Sequence, residues 1–202
     1  MTISHFFFDV GGVLGSGGWS GTHRELAAVR FGIDGAELER RHQLVASMWE
    51  TGRISLDEYL GCTVFSQPRS FSREDFIAFM YSCSAPYDDH IAFAAALART
   101  GRFRMMTLNN ESEPLNVHRI RRFGLAPIFE AFFSSCWLGV AKPSRRIYEL
   151  ALALAQAEPA STVFIDDRPE NVEPARALGL HAIRFTSLPE LRTALAGLGV
   201  TL

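Results

Sequence analysis

Asp166 and Asp167 stand side by side after Thr162-Val163-Phe164-Ile165 and are followed by Arg168-Pro169-Glu170-Asn171. Two adjacent carboxylates repel each other unless a cation lies between them or one takes up a proton. A hard divalent ion with oxygen ligands, Mg²⁺, meets that need. The alternative is a loop whose acids cap a helix beginning near Pro169. Asp9 is a second such point, because it closes the apolar run Phe6-Phe7-Phe8 just before Gly11-Gly12. An ionisable group there has no structural use beyond capping the next turn. Asn109 and Asn110 stand at the end of another apolar run, and Lys142 precedes Pro143. Each signal is weak alone. Together they supply a nucleophile, a neutral hydrogen-bond donor, a cation and a metal-binding acid pair.

The elements that must position these groups follow from the pattern of apolar residues. Runs at Ile3 to Val10, Phe103 to Leu108, Ile128 to Ser135, Thr162 to Ile165 and His181 to Phe185 read as strands, bounded by turn residues. Between them lie helical patterns: Ile91 to Ala98, Pro114 to Phe123, and Ser144 to Gln156. The last has Leu150, Leu152 and Leu154 in strand-like alternation, but its length and alanine content favour a helix. Strands alternating with such helices imply βαβ units and a parallel sheet. Right-handed crossovers then bring the C-terminal ends of the strands, with Asp9, Asn109, Lys142 and Asp166/Asp167, to one edge. Ligands of open α/β sheets collect at that edge.

From Thr22 to Cys83 the pattern is helical throughout, with capping-box spacing at Thr22/Glu25, Ser55/Glu58 and Ser72/Asp75. Leu38, Leu44, Val45 and Met48 mark a helical stripe there. Trp19, His23, Arg24, His42, Trp49, Arg53 and Tyr59 are candidates for the inner face of this insertion, with packing or surface roles as the alternative. Gly15 to Gly21 carries four glycines in seven residues. It reads as a mobile hinge or flap beside Asp9, or as an ordinary connection. A dinucleotide fingerprint fails there because its third glycine falls on Ser20, and no Gly-Lys-Ser/Thr completes a P-loop. The basic run His118, Arg119, Arg121 and Arg122 reads as a solvated helix face.

A chain of 202 residues can bury a full core. A net charge of −2 and a pI near 6.3 leave no nucleic-acid footprint. Cys62, Cys83 and Cys136 form no C-x-x-C pair, so reduced thiols and a cytosolic, cytoplasmic setting are expected. No apolar run reaches membrane-spanning length. Oligomeric state is open.

Phe8-Asp9-Val10-Gly11-Gly12-Val13-Leu14, Thr107-Leu108-Asn109-Asn110, Gly139-Val140-Ala141-Lys142-Pro143 and Phe164-Ile165-Asp166-Asp167-Arg168-Pro169-Glu170-Asn171 resemble, in order, the four motifs of the haloacid-dehalogenase-like superfamily. The likeness is to the subfamily with a helical cap inserted after the first motif. It implies a Rossmann-like three-layer core at 1–15 and 86–202 and an all-helical cap at 16–85. It further implies Mg²⁺-dependent phosphoryl transfer from a small phosphorylated metabolite, such as a sugar phosphate, through an aspartyl-phosphate on Asp9. The metal would be shared by Asp9, the Gly11 carbonyl, Asp167 and Asp166, with Asp167 favoured as the direct ligand. Gly11, Gly12, Asn109, Asn110 and Lys142 would hold the phosphate, and Lys142 and Asn109 would join Asp9 in catalysis.

One position departs from that family. Its phosphatases usually carry a second Asp two residues after the nucleophile, as general acid to the leaving group; here that residue is Gly11. General acid catalysis contributes about 10²–10⁴-fold. Either the substrate has a good leaving group, or His23, His42, Glu50 or a water supplies the proton, or the protein turns over weakly and mainly binds a phosphorylated ligand or partner. A haloacid dehalogenase also lacks the second Asp, but needs no metal and keeps no acid pair like Asp166-Asp167. A receiver domain places its acid pair after the first strand and its phospho-acceptor after the third, the reverse of the order here.

Overall fold

The computed structural model describes residues 2–202. Its sheet has five parallel strands in the order β3-β2-β1-β4-β5: β1 His5–Phe8, β2 Arg104–Asn109, β3 Ala131–Ser134, β4 Thr162–Asp166 and β5 His181–Arg184. All five expected strands are present, with β1, β3 and β5 shorter than their apolar runs. Consecutive phenyl rings of β1 point to opposite faces, as the period of two requires. Phe6 and Phe8 enter one core with Val163 and Ile165, and Phe7 enters the other with Phe164. Fully burying each such ring contributes about 1.5–3 kcal/mol, which makes β1 the centre of the sheet.

Helices cover both faces. α5 (Asp88–Arg99) and α10 (Leu188–Gly197) pack on the Phe6/Phe8 side, and α8 (Arg145–Ala155) and α9 (Pro169–Ala177) on the Phe7 side. The alternating leucines of 150–154 therefore lie in a helix, as length and alanine content indicate. α6 (Glu113–Arg122) follows β2, and a single turn, α7 (Ser135–Leu138), follows β3.

Between β1 and α5 lie four helices: α1 Gly21–Phe31, α2 Gly35–Glu50, α3 Leu56–Thr63 and α4 Arg73–Ser82. They enclose an apolar cluster of their own, joined from α6 by Leu115. Both Ser55/Glu58 and Ser72/Asp75 form reciprocal capping boxes. Thr22/Glu25 does not: α1 begins two residues earlier than that box requires, and Ser20 caps it by accepting from His23 N. The stripe expected in α2 is also half displaced. Leu44 and Met48 are exposed, and the buried face runs Leu38, His42, Trp49. A histidine on that face is invisible to hydropathy. No helix among the described residues is long and apolar enough to cross a membrane.

Candidate active site

β1 runs to its neighbours on either side, β2 and then β3 in one direction and β4 in the other, so the chain direction switches at the β1/β4 edge. The crevice beyond such a switch point is where an α/β sheet holds ligands. Phe8 is in register with Ile165, and Asp9 N donates to Ile165 O at 2.8 Å. Asp9 and Asp166 thus leave the sheet next to each other. One oxygen from each of Asp9, Asp166 and Asp167 lies within 4.8 Å of the others. Lys142 Nζ stands among them, 3.1 Å from Asp9 Oδ1 and 2.6 Å from Asp166 Oδ2, and donates to Leu108 O at 2.9 Å.

The two members of the acid pair differ. Asp166 is fully buried, and besides Lys142 it accepts from Arg168 N at 2.9 Å and from Asn171 Nδ2. Both its oxygens are engaged. Asp167 Oδ1 is buried with no hydrogen-bond partner among the described residues. Its carboxylate presses on Gly12, where φ is +77° and a Cβ would collide with it; only glycine fits both demands. Burial pushes Asp9 up to about 7, with Asp166 adding and Lys142 opposing. Burial and Asp166 likewise raise Asp167. Three carboxylates face one ammonium, and one carboxylate oxygen is orphaned. That donor set, all hard oxygen, fits a divalent cation.

Asn109 and Asn110 divide differently from expectation. Asn109 is buried and does not line the cavity above Asp9. Its amide donates to Asn116 Oδ1 at 3.0 Å and its carbonyl accepts from Ser134 Oγ at 2.8 Å. One amide N–H is left over, but Asn109 is not among the residues that line the cavity. Asn110 does line the cavity, and it is fixed by a reciprocal pair with the Lys142 main chain, 2.8 Å each way. Asn109 closes β2 and Asn110 is the next residue of the chain, so their side chains leave it on different sides.

The cavity, about 240 Å³, also takes in Gly11, Gly12, Trp19, His42, Trp49, Glu50, Glu111 and Arg119. His23, Arg24, Arg53 and Tyr59 do not line it. Tyr59 instead accepts from Trp19 Nε1 at 2.7 Å and stacks on Trp49 at 3.8 Å. Its hydroxyl also stands 2.9 Å from His42 Nδ1, and burial pushes the His42 pKa down to about 4.

Arg119 corrects the reading of a solvated basic face. It is 2% exposed, donates to the Ser16 carbonyl, and pairs with buried Glu111 at 3.1 Å. Its signal was available in the spacing: Leu115, Asn116 and Arg119 form the buried stripe of α6. The glycine loop has a second reason for its composition. A Cβ on Gly18 would meet the Glu111 carboxylate, and Ser16 is held by Ala85 and Cys83.

The sequence matches the profile of the family described as "Hydrolase: haloacid dehalogenase-like hydrolase" over residues 3–179. It is 28% identical over 121 residues to bifunctional epoxide hydrolase 2 of Rattus norvegicus, a match covering 58% of this chain and 22% of that protein. It is 28% identical over 163 residues to flavin mononucleotide hydrolase 1 of Arabidopsis thaliana, covering 81% of this chain and 65% of that one. The chain thus spans less than two thirds of the length of these relatives. A haloacid dehalogenase-like enzyme of Bacteroides thetaiotaomicron, solved with magnesium and inorganic phosphate, has the same fold: TM-score 0.78, 20% identity, covering 94% of this chain and 98% of that one.

Proposed function

The chain belongs to the haloacid dehalogenase-like hydrolase family, and from there we propose that it is a phosphatase hydrolysing the monoester of a small metabolite, a sugar phosphate being the leading candidate. The observation that carries this is the single cluster formed by Asp9, Lys142, Asp166 and Asp167. The names of relatives point the same way, one a flavin mononucleotide hydrolase and one a structure holding magnesium and phosphate. A cavity of about 240 Å³ lies below the ~300–1,000 Å³ usual for drug-sized ligands, which suits a phosphate with a small remainder.

In this reading Asp9 attacks phosphorus in line, the leaving alcohol departs, and water hydrolyses the aspartyl-phosphate. Asp9, the Gly11 carbonyl and Asp167 would hold Mg²⁺, with Asp166 orienting Lys142 at 2.6 Å. When bound, Mg²⁺ neutralises charge that would otherwise repel a phosphate from three carboxylates. Lys142 holds the Asp9 carboxylate with one oxygen toward the cavity. Gly11, Gly12 and Asn110 form the phosphate cradle, and Asn109 supports it from beneath through Ser134 and Asn116. We assign 1–15 and 86–202 to the core and 16–85 to a cap, in keeping with the separate apolar cluster of the inserted helices.

Phosphate release from p-nitrophenyl phosphate or glucose 1-phosphate with Mg²⁺, abolished by Asp9→Asn, is the expected result. Gly11, which offers no acid, favours one rival: a protein that binds a phosphorylated ligand without turning it over. That rival stands if no ester in a broad panel is hydrolysed while a phosphorylated ligand still binds. Dehalogenation is disfavoured by the Asp166-Asp167 pair.

A further inference from the structure

Gly11 leaves the departing oxygen without the usual acid, and the surrounding side chains narrow what replaces it. A Cβ at Gly11 would stand 3.7 Å from Arg119 Nη1. Arginine gives up no proton in a protein, so Arg119 is not the donor. Its partner Glu111 is fully committed: besides Arg119 at 3.1 Å, it accepts from Ser112 N at 2.9 Å and Ser112 Oγ at 3.3 Å. Burial holds His42 neutral and its Nδ1 is engaged with the Tyr59 hydroxyl, so it has no acidic proton to give near neutrality. His23 is turned away, with Nδ1 against Gly18 O at 2.6 Å.

Glu50 remains. It is the last residue of α2 and lines the same cavity as Asp9. Its carboxyl has no hydrogen-bond or ion-pair partner among the described residues. One hydroxyl fixes its place: Ser135 Oγ donates to Glu50 O at 2.6 Å and accepts from Glu111 N at 3.0 Å. The main chains of the two glutamates are thereby held against one serine, and the end of α2 is moored to the first residue of α7 rather than to the inserted helices alone. The two acids differ in that Glu111 is ion-paired with Arg119 and the Glu50 carboxyl is not, although burial raises both.

Resting on the phosphatase reading, we propose that Glu50 is the general acid of this enzyme, supplied by the inserted helices in place of a side chain at Gly11. As Asp9 attacks, the phosphorus–oxygen bond to the leaving group breaks and its electron pair goes to that oxygen, which takes the Glu50 proton. In the second step Glu50, now a carboxylate, takes a proton from the water that attacks the aspartyl-phosphate. Burial and the neighbouring Glu111 raise Glu50, while Arg168 and Arg24 oppose them. Glu111, Arg168 and Arg24 are the charged groups that act on its carboxyl, and His42, Asp9, Arg119, Lys142 and Asp167 line the same cavity.

The test uses the full chain with Mg²⁺ and a series of aryl and alkyl phosphate monoesters. Glu50→Gln should lose about 10²–10⁴-fold in kcat/KM on alkyl esters and only a few-fold on p-nitrophenyl phosphate, whose phenolate leaves unaided. The plot of log kcat/KM against leaving-group pKa should steepen, and the fall in rate at high pH should vanish. Glu50→Asp, with a shorter arm, should lie between. A loss of equal size on every ester, or an unchanged slope, overturns the proposal. Asp9→Asn on p-nitrophenyl phosphate separates the two levels. If that variant retains activity, the phosphatase reading fails and this one with it; if it is dead and Glu50→Gln keeps the wild-type slope, only the Glu50 assignment fails.

Discussion

Adjacent residues of one type need not share a job, and Asp166 and Asp167 make the point. Asp166 has every acceptor engaged and holds Lys142 at 2.6 Å; Asp167 has an oxygen with nothing to accept from. Asp166→Asn should therefore act on folding. Unbalancing a buried ion pair costs about 3–5 kcal/mol, and for a chain of this size each kcal/mol lowers Tm by roughly 2–4 °C. Asp167→Asn should leave Tm unchanged or raise it, while weakening Mg²⁺ by more than the roughly 10–100-fold typical of groups that only orient a ligand. Calorimetry and Mg²⁺ titration of both variants check this; equal melting temperatures, or equal metal affinities, would contradict the division. The sequence made Asp9, Lys142 and the acid pair legible because charge at the end of an apolar strand is conspicuous. It hid Arg119 among three other basic residues, since only the helical spacing from Leu115 and Asn116 marks it as buried.

At the scale of elements, strand alternation was readable and the buried face of α2 was not. An apolar strand between two helical layers has few alternatives, and Phe6-Phe7-Phe8 sorts itself by parity alone. α2 buries His42 because a polar chain, Trp19 to Tyr59 to His42, satisfies it, and no local pattern announces a partner seventeen residues away in α3. The same chain gives a prediction. Tyr59→Phe leaves Trp19 Nε1 and His42 Nδ1 without their shared hydroxyl, and each buried orphan costs about 1–3 kcal/mol. The inserted helices should melt earlier, with faster amide exchange in α1, α2 and α3 than in the sheet. The ¹⁵N shifts of the His42 imidazole should also move as Nδ1 loses its partner. Unchanged exchange and unchanged ¹⁵N shifts would mean that the aromatic stack of Trp49 on Tyr59 suffices without the hydroxyl.

For the molecule as a whole, the site is a source of instability that its ligand should cure. With no cation bound, the folded protein raises Asp9 from 3.8 to about 7, so it binds that proton more tightly than the unfolded chain does. Stability from this group must fall as pH climbs through that window and level off above it. His42 works in the opposite sense, because its value drops from 6.5 to about 4; its contribution grows as pH rises between those limits. The two overlap, so the Asp9 contribution is isolated as the difference between wild type and Asp9→Asn, in which His42 cancels. In metal-free buffer Asp9→Asn should gain on wild type steadily from about pH 4 to about pH 7 and hold that lead above it. Mg²⁺ should then reverse the order, because a ligand at a hundred times its Kd adds about 2.7 kcal/mol to the state that binds it. Wild type would rise by several degrees, while the variant, lacking one of the three carboxylates, would rise little. A difference between the two proteins that is flat across this pH range, or a Mg²⁺ shift of equal size in both, would mean that Asp9 neither stores the strain of the site nor shares its metal.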